Sequence, residues 1–157
     1  MPRGNYKKQT IREDSIYKSQ EVTKLVNYVM LDGKKSVALK IVHEVFARFA
    51  ADKKDPVQIL HQAVTNVAPN FEVKPRRLGG ASYLVPVEVR RTRKLFLALN
   101  WIIEAAQTRS NKEFKTFANK LHVELSEAAQ NTGNAVNKRA QTEKLADANK
   151  AFAHLKW

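Results

Sequence analysis

Midway along the chain the apolar residues stop recurring every three to four positions and begin to alternate. Phe71 and Val73, then Tyr83, Val85, Val87 and Val89, are interleaved with Lys74, Leu84, Glu88 and Arg90. A period of two marks a strand with two unlike faces. The stretch Leu78-Gly79-Gly80-Ala81-Ser82 separates the two runs, and glycine reaches positive φ without a Cβ clash. The segment therefore predicts a β-hairpin over residues 72–90. Pro75 and Pro86 stand one on each arm, and neither can donate to a ladder. Both suit a ribbon of two strands whose outer edges are open, and neither suits the interior of a larger sheet.

On both sides of this segment the period is helical. Val22, Leu25, Val26 and Val29 share one face of a first helix that begins near Ser19 and ends at Asp32-Gly33. Here Gly33 supplies the left-handed residue after the last turn. A second helix, residues 35–53, carries Val37, Ile41, Val45 and Phe49 in its stripe. Asp55-Pro56 opens a third with an N-cap and a proline in the first turn. It buries Ile59, Leu60, Ala63, Val64 and Val67 and stops at Pro69. Beyond the hairpin, residues 94–108 are apolar nearly all round, as a buried central helix requires. Ser110-Asn111-Lys112-Glu113 fits a capping box ahead of a fifth helix with Phe114, Phe117, Leu121, Leu125 and Ala128 inward. Thr132 or Asn134 caps a sixth that reaches about Phe152. The expected fold is mainly α, a bundle of about six helices with a protruding two-stranded β-hairpin between helices 3 and 4. Residues 1–157 form one domain, in which residues 1–18 are read as an extended basic N-terminal arm, a frayed terminus being the bland counterpart.

Charge points to the partner. Lys and Arg number 28 against 15 Asp and Glu, a net +13 in 157 residues. Such an excess repels itself and is relieved by a polyanion. It is concentrated on the ribbon. Lys74, Arg76 and Arg77 lie on the first arm, Arg90, Arg91, Arg93 and Lys94 follow the second, and Glu88 is the one acid in residues 73–94. The valines and Phe71 sit toward the base, where they can pack on the helices. Gly79 and Gly80 at the tip let the backbone approach a phosphate chain, and the arginines offer paired donors to phosphate oxygens. The bland counterpart is a solvated hairpin whose charges only block edge-to-edge aggregation. Arg3, Lys7 and Lys8 in the arm, Lys34 and Lys35 after the first helix, and Lys138 and Arg139 in the sixth can extend the same surface.

Several chemistries are disfavoured. No cysteine is present, so there is no disulfide framework, thiolate nucleophile or Cys-ligated zinc. The first fourteen residues lack the apolar stretch of a secretory signal, and the longest apolar run, residues 95–103, is far short of the ~20 residues of a membrane helix. A soluble protein is expected. His43, His61, His122 and His154 show no metal-ligand spacing, and Asp32-Gly33-Lys34-Lys35-Ser36 fails as a phosphate loop because Tyr28 and Lys35 stand where Gly and Ser or Thr belong. No catalysis, cofactor, metal or small-molecule substrate is expected. Trp101 is better placed to pack in the core than to stack on a base, whereas Trp157 can dock on RNA, on a neighbouring protein or on its own core.

Longer motifs sharpen this. The run of residues 73–90, VKPRRLGGASYLVPVEVR, closely resembles the hairpin of bacterial small-subunit ribosomal protein seven. Residues 29–36, VMLDGKKS, and Asn131-Thr132-Gly133 leading to residues 148–154, ANKAFAH, agree with that family in order along essentially the whole chain. The resemblance implies a helical body with a β-ribbon, non-enzymatic and cytoplasmic within the ribosome. It also implies binding to the 3′ major domain of 16S-type rRNA and nucleation of head assembly. The ribbon would lie near the path of mRNA and exit-site tRNA, with other head proteins as neighbours. Lys34, Lys35, Lys74, Arg76, Arg77, Arg90 and Lys112 match family basic positions that face RNA. Departures occur at Pro75, where a small residue is usual, at Leu84 for Gln, and at Asn100 for Arg. Asn137 and Glu143 stand for Lys and His, which makes the sixth helix less positive. The competing class is a DNA-architectural protein that places a basic β arm on a helical body.

Overall fold

A computed structural model describes residues 11–155; Arg3, Lys7, Lys8 and Trp157 lie outside the described residues. The chain runs α1 (Gln20–Val29), α2 (Lys35–Ala51), α3 (Pro56–Val67), β1 (Phe71–Leu78), β2 (Ala81–Glu88), α4 (Arg91–Thr108), α5 (Asn111–Phe114), α6 (Phe117–Ala129) and α7 (Asn134–Ala148). A 3-10 segment, Lys150–Leu155, follows. The architecture is mainly helical, with the hairpin between the third and fourth helices as expected.

Local chemistry accounts for most boundaries. The Asp55 side chain accepts the Val57 N–H at 2.9 Å and Pro56 occupies the first turn of α3, so two of the amides that a helix start leaves without partners are dealt with. Several boundaries differ from expectation: α2 ends at Ala51 rather than residue 53, and Gly133, not Thr132 or Asn134, stands at the N-cap of α7. α1 stops at Val29, and Asp32 and Gly33, both at positive φ (52° and 72°), form a separate turn instead of a cap. The fourth helix begins at Arg91, which places Arg91, Arg93 and Lys94 in its first turn. The fifth is divided: Ser110 accepts the Lys112 N–H to start the four-residue α5, Lys115 at φ 47° breaks it, and Thr116 accepts from the Asn119 N–H to start α6. The last helix ends at Ala148 and the chain tightens into the 3-10 segment.

The core is built around α4, whose Leu97, Ala98, Leu99, Trp101, Ile102, Ile103, Ala105 and Ala106 are all buried. It packs against α1, α3, α6 and α7, while α6 also meets α2 and α3. Phe46, Phe49, Leu25, Leu60, Leu121 and Leu125 are wholly enclosed, each stabilising the fold by about 1.5–3 kcal/mol relative to exposure. On α2 the buried face is Ala38, Val42, Val45, Phe46 and Phe49, and Val37 is half exposed. Val45 and Phe49 are buried as expected, and the rest of the covered face is shifted from Val37 and Ile41 to Ala38 and Val42.

One polar cluster lies inside. Glu124, wholly buried, accepts from Arg109 Nε at 2.8 Å and Nη2 at 2.5 Å, and its other oxygen accepts the Ala135 N–H at 3.0 Å. Arg109 also reaches Glu127, and buried Lys120 donates to the Arg109 carbonyl and to Asn111. The end of α4, the middle of α6 and the start of α7 are thereby tied together.

The ribbon has the register Phe71↔Glu88 through Leu78↔Ala81, closed by Gly79 and Gly80 at φ 54° and 89°. Two residues, both left-handed, make the tight turn whose twist matches the strands. The Val89 N–H donates to the Asn70 carbonyl at 3.0 Å. Since hydrogen-bonded and non-bonded pairs alternate, the pairs Pro75↔Leu84 and Val73↔Pro86 both fall in non-bonded positions. The two prolines therefore cost no ladder bond, and each closes one outer edge to further pairing. The ribbon is braced below by α7 and by the 3-10 segment, with Tyr83 against Phe152 at a centroid separation of 5.3 Å. Val85 is fully buried there, whereas Phe71, expected to pack at the base, is 46% exposed.

Candidate nucleic-acid interface

In a strand, residues two apart share a face, and cross-strand partners share it too. One face of the ribbon therefore carries Glu72, Lys74 and Arg76 opposite Val87, Val85 and Tyr83; the other carries Phe71, Val73, Pro75 and Arg77 opposite Glu88, Pro86, Leu84 and Ser82. Lys74 and Arg77 are exposed, Arg76 is partly buried, and the Gly79-Gly80 tip is open to solvent.

The second arm leads directly into α4. Arg90 is its N-cap residue, and Arg91, Arg93 and Lys94 occupy the first turn. Helical geometry spreads them around the turn, and Arg90, Arg91 and Lys94 share one cleft with Glu88. Arg91 and Lys94, three residues apart, also line a cleft of about 620 Å³ together with Lys24 of α1 and His61 of α3. Arg90 and Arg93 line a further cleft of about 450 Å³ with Glu72, Lys74 and Glu88 of the ribbon base. Four cations at a helix N-terminus oppose the helix dipole, and an anion seated there relieves both repulsions at once.

The partners of these cations are specific. Glu72 pairs with Lys74 at 3.2 Å and with Arg93 at 3.3 Å. Lys94 donates to Asn70 Oδ1 at 2.7 Å, and Arg93 lies over the Phe96 ring at 5.0 Å. Arg77, Arg90 and Arg91 make no ion pair with any described residue.

The other expected positions are dispersed. Lys34 and Lys35 stand at the start of α2, both exposed. Lys35 borders a cleft of about 360 Å³ with Arg12, Asp14 and Asn27. Lys112 is exposed in α5. On α7, Lys138 pairs with Glu104 and approaches the Trp101 ring at 6.0 Å. Arg139 donates to the Asn66 carbonyl at 2.5 Å and faces Glu143 at 3.6 Å. Both α7 cations thus have an acidic partner, Lys138 across a half-exposed pair, and the described contacts do not join Lys34, Lys35 or Lys112 to the ribbon set. Trp101 is buried in α4 as expected.

Sequence reasoning missed Glu72, Asn70, Lys24 and His61 as neighbours of the basic surface. The Glu72–Lys74 pair was visible as two opposite charges two apart on a strand. The others depend on α1, α3 and α4 meeting the ribbon base, which no local pattern announces.

Comparison with known proteins gives a consistent result. The family model described as ribosomal protein S7p/S5e matches residues 1–150. The chain is 48% identical to small ribosomal subunit protein uS7 of Moorella thermoacetica, and 47% identical to that of Caldicellulosiruptor bescii. It is 49% identical to uS7 of a Sulfurihydrogenibium species, and in each case all of both chains is covered.

Proposed function

We propose, from the premise that this chain belongs to the ribosomal protein S7p/S5e family, that it binds the 3′ major domain of 16S-type rRNA through its ribbon and the start of α4. The family is a structural, non-enzymatic constituent of the small ribosomal subunit. The observation that carries the reading is the convergence of Lys74, Arg90, Arg91, Arg93 and Lys94 on the two clefts flanking the first turn of α4.

Physically, the helical body supplies a rigid mount and the two clefts supply seats for backbone phosphates. Arg91 is exposed and Lys94 donates to a neutral amide, and neither makes an ion pair with a described residue, so a phosphate can recruit either without first breaking one. Recognition would rest on RNA shape, 2′-hydroxyls and irregular loops, since the A-form major groove is too narrow to read. Arg76, Arg77 and the Gly79-Gly80 tip extend beyond this base toward mRNA and exit-site tRNA. Arg3, Lys7, Lys8, Lys34, Lys35 and Lys112 add contacts elsewhere, and the whole chain acts as one rRNA-binding unit. Binding early to the rRNA would let it nucleate assembly of the subunit head alongside other head proteins, in the cytoplasm. Nothing in the family supports the DNA-architectural alternative.

Filter binding tests this directly. The full chain should retain a 16S-type 3′ major domain fragment far more tightly than random RNA of equal length. Equal affinity for the two would refute it.

A further inference from the structure

We infer that Glu72 is an affinity-limiting residue of the RNA surface, an internal carboxylate that fills a phosphate seat formed by Lys74 and Arg93 until an RNA phosphate displaces it. The inference rests on the reading that the ribbon base is an RNA surface.

The geometry is that of a bridge. One carboxylate oxygen of Glu72 takes Lys74 Nζ at 3.2 Å and the other takes Arg93 Nε at 3.3 Å, so a single anion spans a strand and a helix. A backbone phosphate presents two unesterified oxygens in a similar arrangement, and both cations bind such oxygens well. Exposure separates the partners. The Glu72 side chain is only 14% exposed, while those of Lys74 and Arg93 are 50% and 47% exposed. The cations therefore present open flanks to solvent above a carboxylate that lies beneath them. An incoming phosphate meets a seat whose charge is already half cancelled.

The consequence falls on every complex. RNA that merely drifts against the ribbon either leaves Glu72 in place, and suffers its repulsion, or breaks two ion pairs. RNA whose fold brings a phosphate to the seat, with other contacts made at the same time, displaces the carboxylate and bears the full cost of both pairs. Glu72 thus weakens every complex, and by no more than the worth of those pairs. Glu88 provides the contrast. It borders the same cleft, is exposed, and makes no ion pair among the described residues.

The experiment compares the full chain with Glu72→Gln and Glu88→Gln, which remove the same unit of charge. Each is titrated with the 16S-type 3′ domain fragment and with random RNA of equal length at several salt concentrations. Glu72→Gln should bind random RNA about fivefold more tightly, the upper end of what a half-exposed ion pair is worth. Its salt slope there should steepen by about 0.7, one further phosphate on a single strand. Affinity for the cognate fragment should rise at least as much, because that complex bears the full cost of displacing the carboxylate. Glu88→Gln should change either affinity by less than about twofold. An equal effect from Glu88→Gln would reduce the matter to net charge and overturn the inference. So would weaker binding of both RNAs by Glu72→Gln, which would make the carboxylate a strut for its cations. An unchanged Glu72→Gln protein would place Lys74 and Arg93 off the RNA. A parent chain that does not discriminate would instead overturn the underlying reading. Coincident thermal melting of the three proteins separates all of these from misfolding.

Discussion

Replacing Glu124 by Ala isolates the polar cluster that ties α4, α6 and α7. Glu124 is wholly buried and has three hydrogen bonds, two from Arg109 and one from the Ala135 N–H. Burial works against the charge of Arg109, yet its hydrogen bonds to Glu127 and Glu124 and their negative charges raise its pKa above the usual guanidinium value. In Glu124→Ala the guanidinium keeps Glu127, so its share of the loss lies near the lower end of the ~3–5 kcal/mol seen when one partner of a buried pair is removed. The Ala135 amide, itself buried, loses its acceptor at a cost of about 1–3 kcal/mol. A total near 4 kcal/mol allows for overlap between the two, and for a chain of this size it lowers Tm by about 8–16 °C. Glu124→Gln keeps an acceptor for Ala135 and should lose about half as much, whereas Glu127→Gln, at a partly exposed position, should cost about 0–1 kcal/mol. Thermal melting followed by circular dichroism gives all three numbers. A Glu124→Ala melt within about 2 °C of the parent would mean that the cluster contributes nothing net, and would refute the reasoning.

Three further outcomes are expected. His122 stacks on Phe49 at 4.2 Å; its pKa is lowered from 6.5 by burial, with Arg48 and Lys54 adding to the effect against the attraction of Asp52. The unfolded chain therefore takes up this proton first, so stability is full above about pH 6.5 and falls as pH drops toward the lower folded-state value. His122→Gln should remove that part of the slope in melts recorded from roughly pH 7.5 to pH 5. Second, the double variant Arg76→Ala, Arg77→Ala should weaken RNA binding and flatten its salt dependence by about 1.4–1.8, two phosphates' worth; an unchanged slope would mean the ribbon tip carries no phosphate contact. Third, Arg91→Ala and Arg139→Ala should part company. Arg91 makes no ion pair with a described residue, so its loss should weaken RNA binding at constant Tm. Arg139 holds the Asn66 carbonyl and Glu143, so its loss should lower Tm, with RNA affinity changing little once the protein is folded.

What the sequence discloses depends on how local the cause is. The α3 start is legible because Asp55 and Pro56 act within one turn, and the ribbon because its period, its two glycines and its two prolines all act on their own backbone. The burial of Ala38 in place of Val37 is not legible. Residues 37–49 carry apolar side chains on several sides of α2, and the neighbouring α1, α3 and α6 decide which side is covered. The break at Lys115 is equally hidden, since lysine has no local preference for φ 47° and takes it there because α5 and α6 must part.

The basic surface shows the same division, with more consequence for function. Lysines and arginines can be counted in a sequence, but the charge a partner meets is what remains after the protein's own acids have taken their share. Glu104, Glu143 and Glu72 each claim a cation from the expected set: Lys138, Arg139, and the Lys74–Arg93 pair. The first two claims link α7 to α4 and brace α7 internally. The third claim is made at the base of the ribbon beneath two half-open cations. Arg77, Arg90 and Arg91 are left without such a claim among the described residues, along the line from ribbon tip to helix start. A net charge of +13 thus resolves into a smaller, directional set, and it is this set, with Glu72 as its internal competitor, that an RNA would have to fit.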